Sequence, residues 1–196
     1  MANVTHLGGI RPIKKYSGEP WSGAFNVYNI DAGYATAAYV GDMVSQPAAP
    51  TGNTAATRQL VEVTAAAVTN LRLVGAIVGF APDPTNLARP YHLCYTDQEV
   101  YVCDDIDMVF EAEEDGVTTP IATASLGLNI EIINGTPNTY SGCSAMLLDS
   151  NTVATTATLP FRLQSLVERT NNAIGTRAHW LVTMVQTYKM QTLGIA

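Results

Sequence analysis

Residues 108–113 read Met-Val-Phe-Glu-Ala-Glu, which sets Met108, Phe110 and Ala112 against Glu111 and Glu113. Two positions per repeat is the period of a β-strand, whose side chains alternate between faces; a helix would bring apolar residues together every third or fourth position. The stretch therefore predicts a strand with one buried and one wet face. The same alternation recurs in Leu71, Leu73 and Ile77 around Arg72, in Leu128, Ile130 and Ile132 around Asn129 and Glu131, and in Leu159, Phe161 and Leu163 around Pro160, Arg162 and Gln164. Further strands are expected at Asn26 to Ile30, Ala37 to Val44, Glu99 to Cys103, Ala145 to Leu148 and Ala178 to Tyr188.

Turn-forming clusters cut these runs apart: Gln46-Pro47 to Asn53, Ala81-Pro82-Asp83-Pro84, Gly116 to Pro120, Gly135 to Gly142 and Asn171 to Gly175. Short strands separated by such breakers read as all-β, a compact β-barrel or β-sandwich of mostly antiparallel strands. Ala55 to Ala67 suits helix or strand equally, since its alanines are interrupted by Val61, Val63 and Thr64, and Ile121 to Leu126 has room for one helical turn. At 196 residues the chain supports one domain, assigned to 26–196, preceded by an extended N-terminal arm over 1–25.

That arm contains Gly8, Gly9, Pro12, Gly18, Pro20 and Gly23, which prevent a long regular element, and it carries Arg11, Lys14 and Lys15. Two readings stand: a frayed terminus, or an arm that lays Ile10, Ile13, Tyr16 and Trp21 on a neighbouring surface.

Charge is segregated along the chain. No Lys or Arg occurs between Arg89 and Arg162, while Asp97, Glu99, Asp104, Asp105, Asp107, Glu111, Glu113, Glu114 and Asp115 crowd one stretch. The reading is an acidic patch without a built-in partner, facing solvent for the most part because burying unpaired carboxylates is costly. A net charge of −7 disfavours nucleic acid or an anionic membrane as partner. The N-terminus lacks an apolar signal core and no run reaches the ~20 apolar residues of a membrane span, so synthesis and folding in a cytoplasm are expected. The sequons at Asn3 and Asn134 are then chance matches.

Little in the chain points to chemistry. Cys94, Cys103 and Cys143 have neither C-x-x-C spacing nor an even count, and Gln98-Glu99 is a poor hairpin tip for joining Cys94 to Cys103, so buried thiols are expected. His6, His92 and His179 have no metal or nucleophile motif around them, and no cofactor is implied. Asp104, Asp105 and Asp107 form the one constellation with catalytic potential, as ligands of Ca²⁺ or Mg²⁺ in a metal-dependent hydrolase. A calcium loop begun at Asp105 would need Gly at Phe110 and Glu at Gly116, so an Asp-rich turn between two strands is preferred.

In order along the chain, several segments resemble the capsid decoration (cement or head-stabilising) proteins of tailed bacteriophages. They are Arg11-Pro12 with Tyr16-Ser17-Gly18 and Trp21-Ser22-Gly23; Val40-Gly41-Asp42; Gly75 to Phe80 leading to Pro82-Asp83-Pro84; Val100 to Asp105 with Phe110-Glu111; Gly127-Leu128-Asn129; Leu148-Asp149-Ser150; and Asn171 to Gly175 before Trp180-Leu181-Val182. The resemblance implies a non-enzymatic virion protein on the capsid exterior, bound to the major capsid protein and self-associated, with a trimer favoured. On that reading Ile10, Arg11, Ile13, Lys14, Lys15, Tyr16 and Trp21 are the candidate capsid contacts. A phage tail tube or neck protein is the alternative within the particle, although tube proteins usually need long ring-joining hairpins where this sequence suggests compact strands.

Overall fold

The computed structural model describes residues 3, 5, 8–47, 61–64, 73–117, 119–185, 187 and 189. Among the described residues, eleven strands form two antiparallel sheets in an open, sandwich-like arrangement that does not close into a barrel. In chain order they are β1 (Arg11–Lys15), β2 (Asn26–Ile30), β3 (Met43–Ser45), β4 (Glu62–Val63), β5 (Leu73–Phe80), β6 (Gln98–Cys103), β7 (Met108–Glu113), β8 (Asn129–Asn134), β9 (Met146–Ala154), β10 (Phe161–Leu166) and β11 (His179–Met184). The six-stranded sheet runs β1-β7-β11-β10-β8-β9 and the five-stranded sheet β2-β6-β5-β3-β4. A 3₁₀ turn at Thr123–Ser125 occupies the expected helical turn.

The strands follow the alternation in the sequence. On β7, Phe110 and Ala112 enter the core between the sheets with Ile130, Ile132, Phe161 and Trp180, and Phe110 meets Phe161 edge-on at 6.4 Å. The opposite face of the five-stranded sheet supports a second core of Tyr28, Ile30, Val44, Ile77, Val100 and Val102, joined by Ala38 and Val61 from outside the strands. That sheet is therefore apolar on both faces, which explains the near-continuous apolar run of β5.

Two connections follow the sequence reading, with one difference. Gln98-Glu99 opens β6 and forms no hairpin tip, and Cys94, Cys103 and Cys143 are free thiols; Cys103 is buried, but Cys94, expected to be buried, is partly exposed. The Asp104–Asp107 link carries the chain from the five-stranded sheet at β6 to the six-stranded sheet at β7. Its geometry is the expected Asp-built turn: Asp107 N–H donates to Asp105 Oδ1 at 3.1 Å and Met108 N–H to the Asp105 carbonyl at 3.2 Å.

The N-terminal segment also differs. Residues 11–15 form β1, an edge strand antiparallel to β7 with Arg11 opposite Glu111, and Ile10 is wholly buried in the main core. The glycines read as breakers are what let this segment seat: Gly9 and Gly41 both have positive φ, at 59° and 96°, and a Cβ on either would run into backbone of the other's segment. Ile10 N–H then donates to the Gly41 carbonyl at 2.8 Å. The outer edge of β1 is covered by its own chain, with Trp21 N–H on the Ile13 carbonyl at 2.9 Å and Lys15 N–H on that of Glu19 at 2.7 Å.

Of the remaining sequence expectations, His6, Leu71, Arg72 and residues 48–60 lie outside the described residues, and within the ambiguous stretch 55–67 the described part includes the short strand β4.

Candidate functional site

β7 is the axis of the molecule's charge. Glu111 and Glu113 share its outer face, yet they are only 6% and 2% exposed. This overturns the expectation of a wet face and of an acidic patch without partners. The Glu111 Oε1 atom lies 3.3 Å from Arg11 Nη2, 2.6 Å from Arg169 Nη2 and 3.0 Å from His179 Nδ1. Glu113 faces Arg177 Nη1 at 3.4 Å and His179 Nε2 at 3.7 Å. Pairing explains the convergence: β1 brings Arg11 opposite Glu111, β11 brings His179 opposite Glu113, and the segments before β11 supply Arg169 and Arg177.

Burial alone would raise the Glu111 carboxyl, but the hydrogen bond from His179 and the charges of Arg11 and Arg169 outweigh it and hold the group down at about 2. A carboxylate so heavily engaged is a poor proton acceptor; it works as a strut that ties the edge strand and the 167–178 segment to the sheet centre. Glu114, wholly buried, behaves oppositely. Burial raises its pKa although Oε2 accepts from Ile121 N–H at 3.1 Å and Trp180 Nε1–H at 3.2 Å.

The Asp104–Asp107 constellation is likewise committed to partners. Asp104 accepts from Tyr28 Oη at 2.7 Å, Lys189 Nζ at 2.7 Å and the Asn26 amide at 2.9 Å; these bonds outweigh burial and lower its pKa. Asp105 pairs with Lys15 at 3.2 Å, and the Asp107 carbonyl accepts from Tyr16 N–H at 2.7 Å. Among the described residues no group of three or more His, Cys, Asp or Glu side chains is arranged to hold a metal ion. A groove of about 500 Å³ beside this turn is lined by Lys15, Trp21, Phe25, Asp104, Asp105 and Lys189, so its opposite charges already face one another.

The candidate docking residues of the N-terminal segment divide. Ile10 is buried in the core, whereas Arg11 is exposed and paired with Glu111. Lys15 is in its ion pair with Asp105, and Trp21 is half-buried against the core with its Nε1–H on the Ala24 carbonyl at 3.0 Å. Ile13, Lys14 and Tyr16 are exposed.

Sequence reasoning missed Arg169, Arg177 and His179 as partners of β7, because they lie 58 to 68 positions away and no local pattern marks them. It also missed a cluster of exposed aromatic and aliphatic residues on loops, whose only signal in the sequence is tyrosine within turn-forming stretches. The chain matches no family model, no curated protein and no solved structure.

Proposed function

We propose that this chain is a structural virion protein that binds the outer surface of a phage capsid and stabilises contacts between major capsid protein subunits, without catalysing a reaction. The ordered succession of segments resembling decoration proteins supports the capsid assignment. The observation from the fold that favours a structural role is the internal neutralisation of the most acidic stretch. Glu111 and Glu113 bind cations from remote segments, while Asp104 and Asp105 hold Lys189 and Lys15. The carboxylates that offered the best material for a hydrolase are used instead to fasten strands and termini together.

Many copies on one closed lattice share the load, so contacts weak in isolation reinforce collectively. The test is co-sedimentation of the purified protein with mature capsids that lack it, followed by heating of the loaded and bare shells. Saturable binding and delayed shell rupture are expected; absence of binding would contradict the proposal.

A further inference from the structure

Three loops gather at one end of the fold: 31–42 after β2, 81–97 between β5 and β6, and 135–145 between β8 and β9. Ala38 and His92 bridge the first two, and Val40 and Cys143 bridge the first and third. Tyr39 and Tyr91 stack at 5.0 Å, and a cavity of about 230 Å³ lies between Tyr39, Asp42, Asn134 and Pro137. The loops present Tyr140 at 96% exposure, Leu87 at 78%, Tyr95 at 67% and Leu93 at 36%.

These tips are held by side chains. Asn138 Oδ1 accepts from the N–H groups of Tyr140 and Ser141 at 2.9 and 3.1 Å, and Asn138 N–H reaches the Cys143 carbonyl at 3.0 Å. Asp83 accepts from Thr85 N–H at 2.8 Å and pairs with Arg89, and Tyr95 N–H donates to the Tyr34 carbonyl at 2.8 Å. Large apolar groups on anchored turns bind with little ordering cost, the arrangement that favours tyrosine-rich recognition loops.

From this geometry we infer that the three-loop end is the surface that docks on the capsid, an inference that rests on the proposed function. Its charge selects the kind of partner. The loops contain no Lys, and their one Arg, Arg89, is paired with Asp83; Asp42 is buried, which leaves Asp31 and Asp97, bonded among the described residues only to the neutral Gly33 N–H and Asn29 amide, as the uncompensated charges of the loop set. A second copy of the chain would bring the same acidic charges and repel them, whereas a shell protein with an apolar surface edged by Lys or Arg complements them. The two exposed tyrosines and two leucines offer roughly 400–600 Å² for burial, a large part of the ~800 Å² per partner of a stable interface.

The experiment measures shell binding for wild type, Tyr140→Ala, Tyr95→Asn and Tyr16→Ala, the last representing the rival N-terminal contact surface beside β1. Asn is chosen at 95 because Tyr95 has φ of 61°, a conformation Asn tolerates. Tyr140→Ala and Tyr95→Asn are expected to unfold like wild type and to weaken binding about tenfold or more, with Tyr16→Ala unchanged. Wild-type binding by both loop variants would overturn the docking surface while leaving the capsid role intact, and so would loss confined to Tyr16→Ala. Failure of wild type itself to bind shells would overturn both. Self-association abolished by Tyr140→Ala, with shell binding unaffected, would assign the surface to contacts between copies and overturn the inference.

Discussion

Asp42 and His92 are buried ionisable groups whose titrations are displaced in opposite senses. Burial raises Asp42 to about 6, although Ser144 Oγ–H and Tyr39 N–H donate to it at 2.5 and 2.8 Å. Burial, reinforced by Arg89, lowers His92 to about 4. The Asp42 contribution to stability is fully present below its ordinary value of 3.8 and is lost as pH rises through about 6. That of His92 is fully present above 6.5 and is lost as pH falls through about 4. Between these limits the two slopes offset, so wild-type stability is expected to change little from these groups. Asp42→Asn should then lose stability as the solution is acidified from pH 6.5 to 4, and His92→Gln should gain it from pH 6 to 4. Urea midpoints at several pH values test this, and parallel profiles for the two variants would contradict it. At β7, Glu111→Gln leaves Arg11, Arg169 and His179 facing a neutral amide and should cost roughly 2–3 kcal/mol, below the ~3–5 kcal/mol of a fully buried pair because both arginines are partly solvated. Arg11→Ala removes one of several partners of Glu111 and, because the Arg11 side chain is 44% exposed, should cost about 1 kcal/mol or less. Equal losses by chemical denaturation would show that Glu111 is not the hub. The alternation of Glu with Phe and Ala was legible in the sequence. The cations that bury the glutamates were not, because strand pairing rather than proximity in the chain supplies them.

Strands were the legible elements, and their edges were not. β2 spans the expected Asn26 to Ile30, and β6, β8, β10 and β11 fall where alternation or β-branched runs placed them, since one or both faces of each must meet a core. β1 was hidden by Pro12 and flanking glycines, which argue against a central strand but are compatible with an edge. Pro12 stands where the register shifts between Pro12 and Lys14, an irregularity at which a missing ladder donor is tolerated. The consequence concerns stability before docking. Ile10→Ala should cost ~2–4 kcal/mol, and deletion of residues 1–16 more, since it also uncovers the β7 edge and removes Arg11 from Glu111. Gly41→Ala should disrupt the seat of the same segment, because φ of 96° and the close backbone of Gly8 both exclude a side chain. Thermal unfolding checks all of these. A deletion variant as stable as wild type would mean that the first segment is a removable arm after all, as the sequence alone suggested.

At the scale of the whole molecule, a chain of net charge −7 folds around an internally paired charge network, with its anchored tyrosine tips at one end. The open two-sheet arrangement leaves the six-stranded sheet ending at β9, which leans back on the end of β7 through the Glu114 to Leu148 bridge and a hydrogen bond from Asp115 N–H to the Leu148 carbonyl at 2.9 Å. Two cores share the five-stranded sheet, one on each of its faces. The measurement that tests the account most directly is imaging of mature capsids that lack the protein after they have been saturated with it. A decoration protein adds density on the outer lattice, at fixed positions bridging neighbouring subunits, and here with the three-loop end against the shell. Density confined to the tail or neck, or shells left bare at saturating protein, would contradict that role.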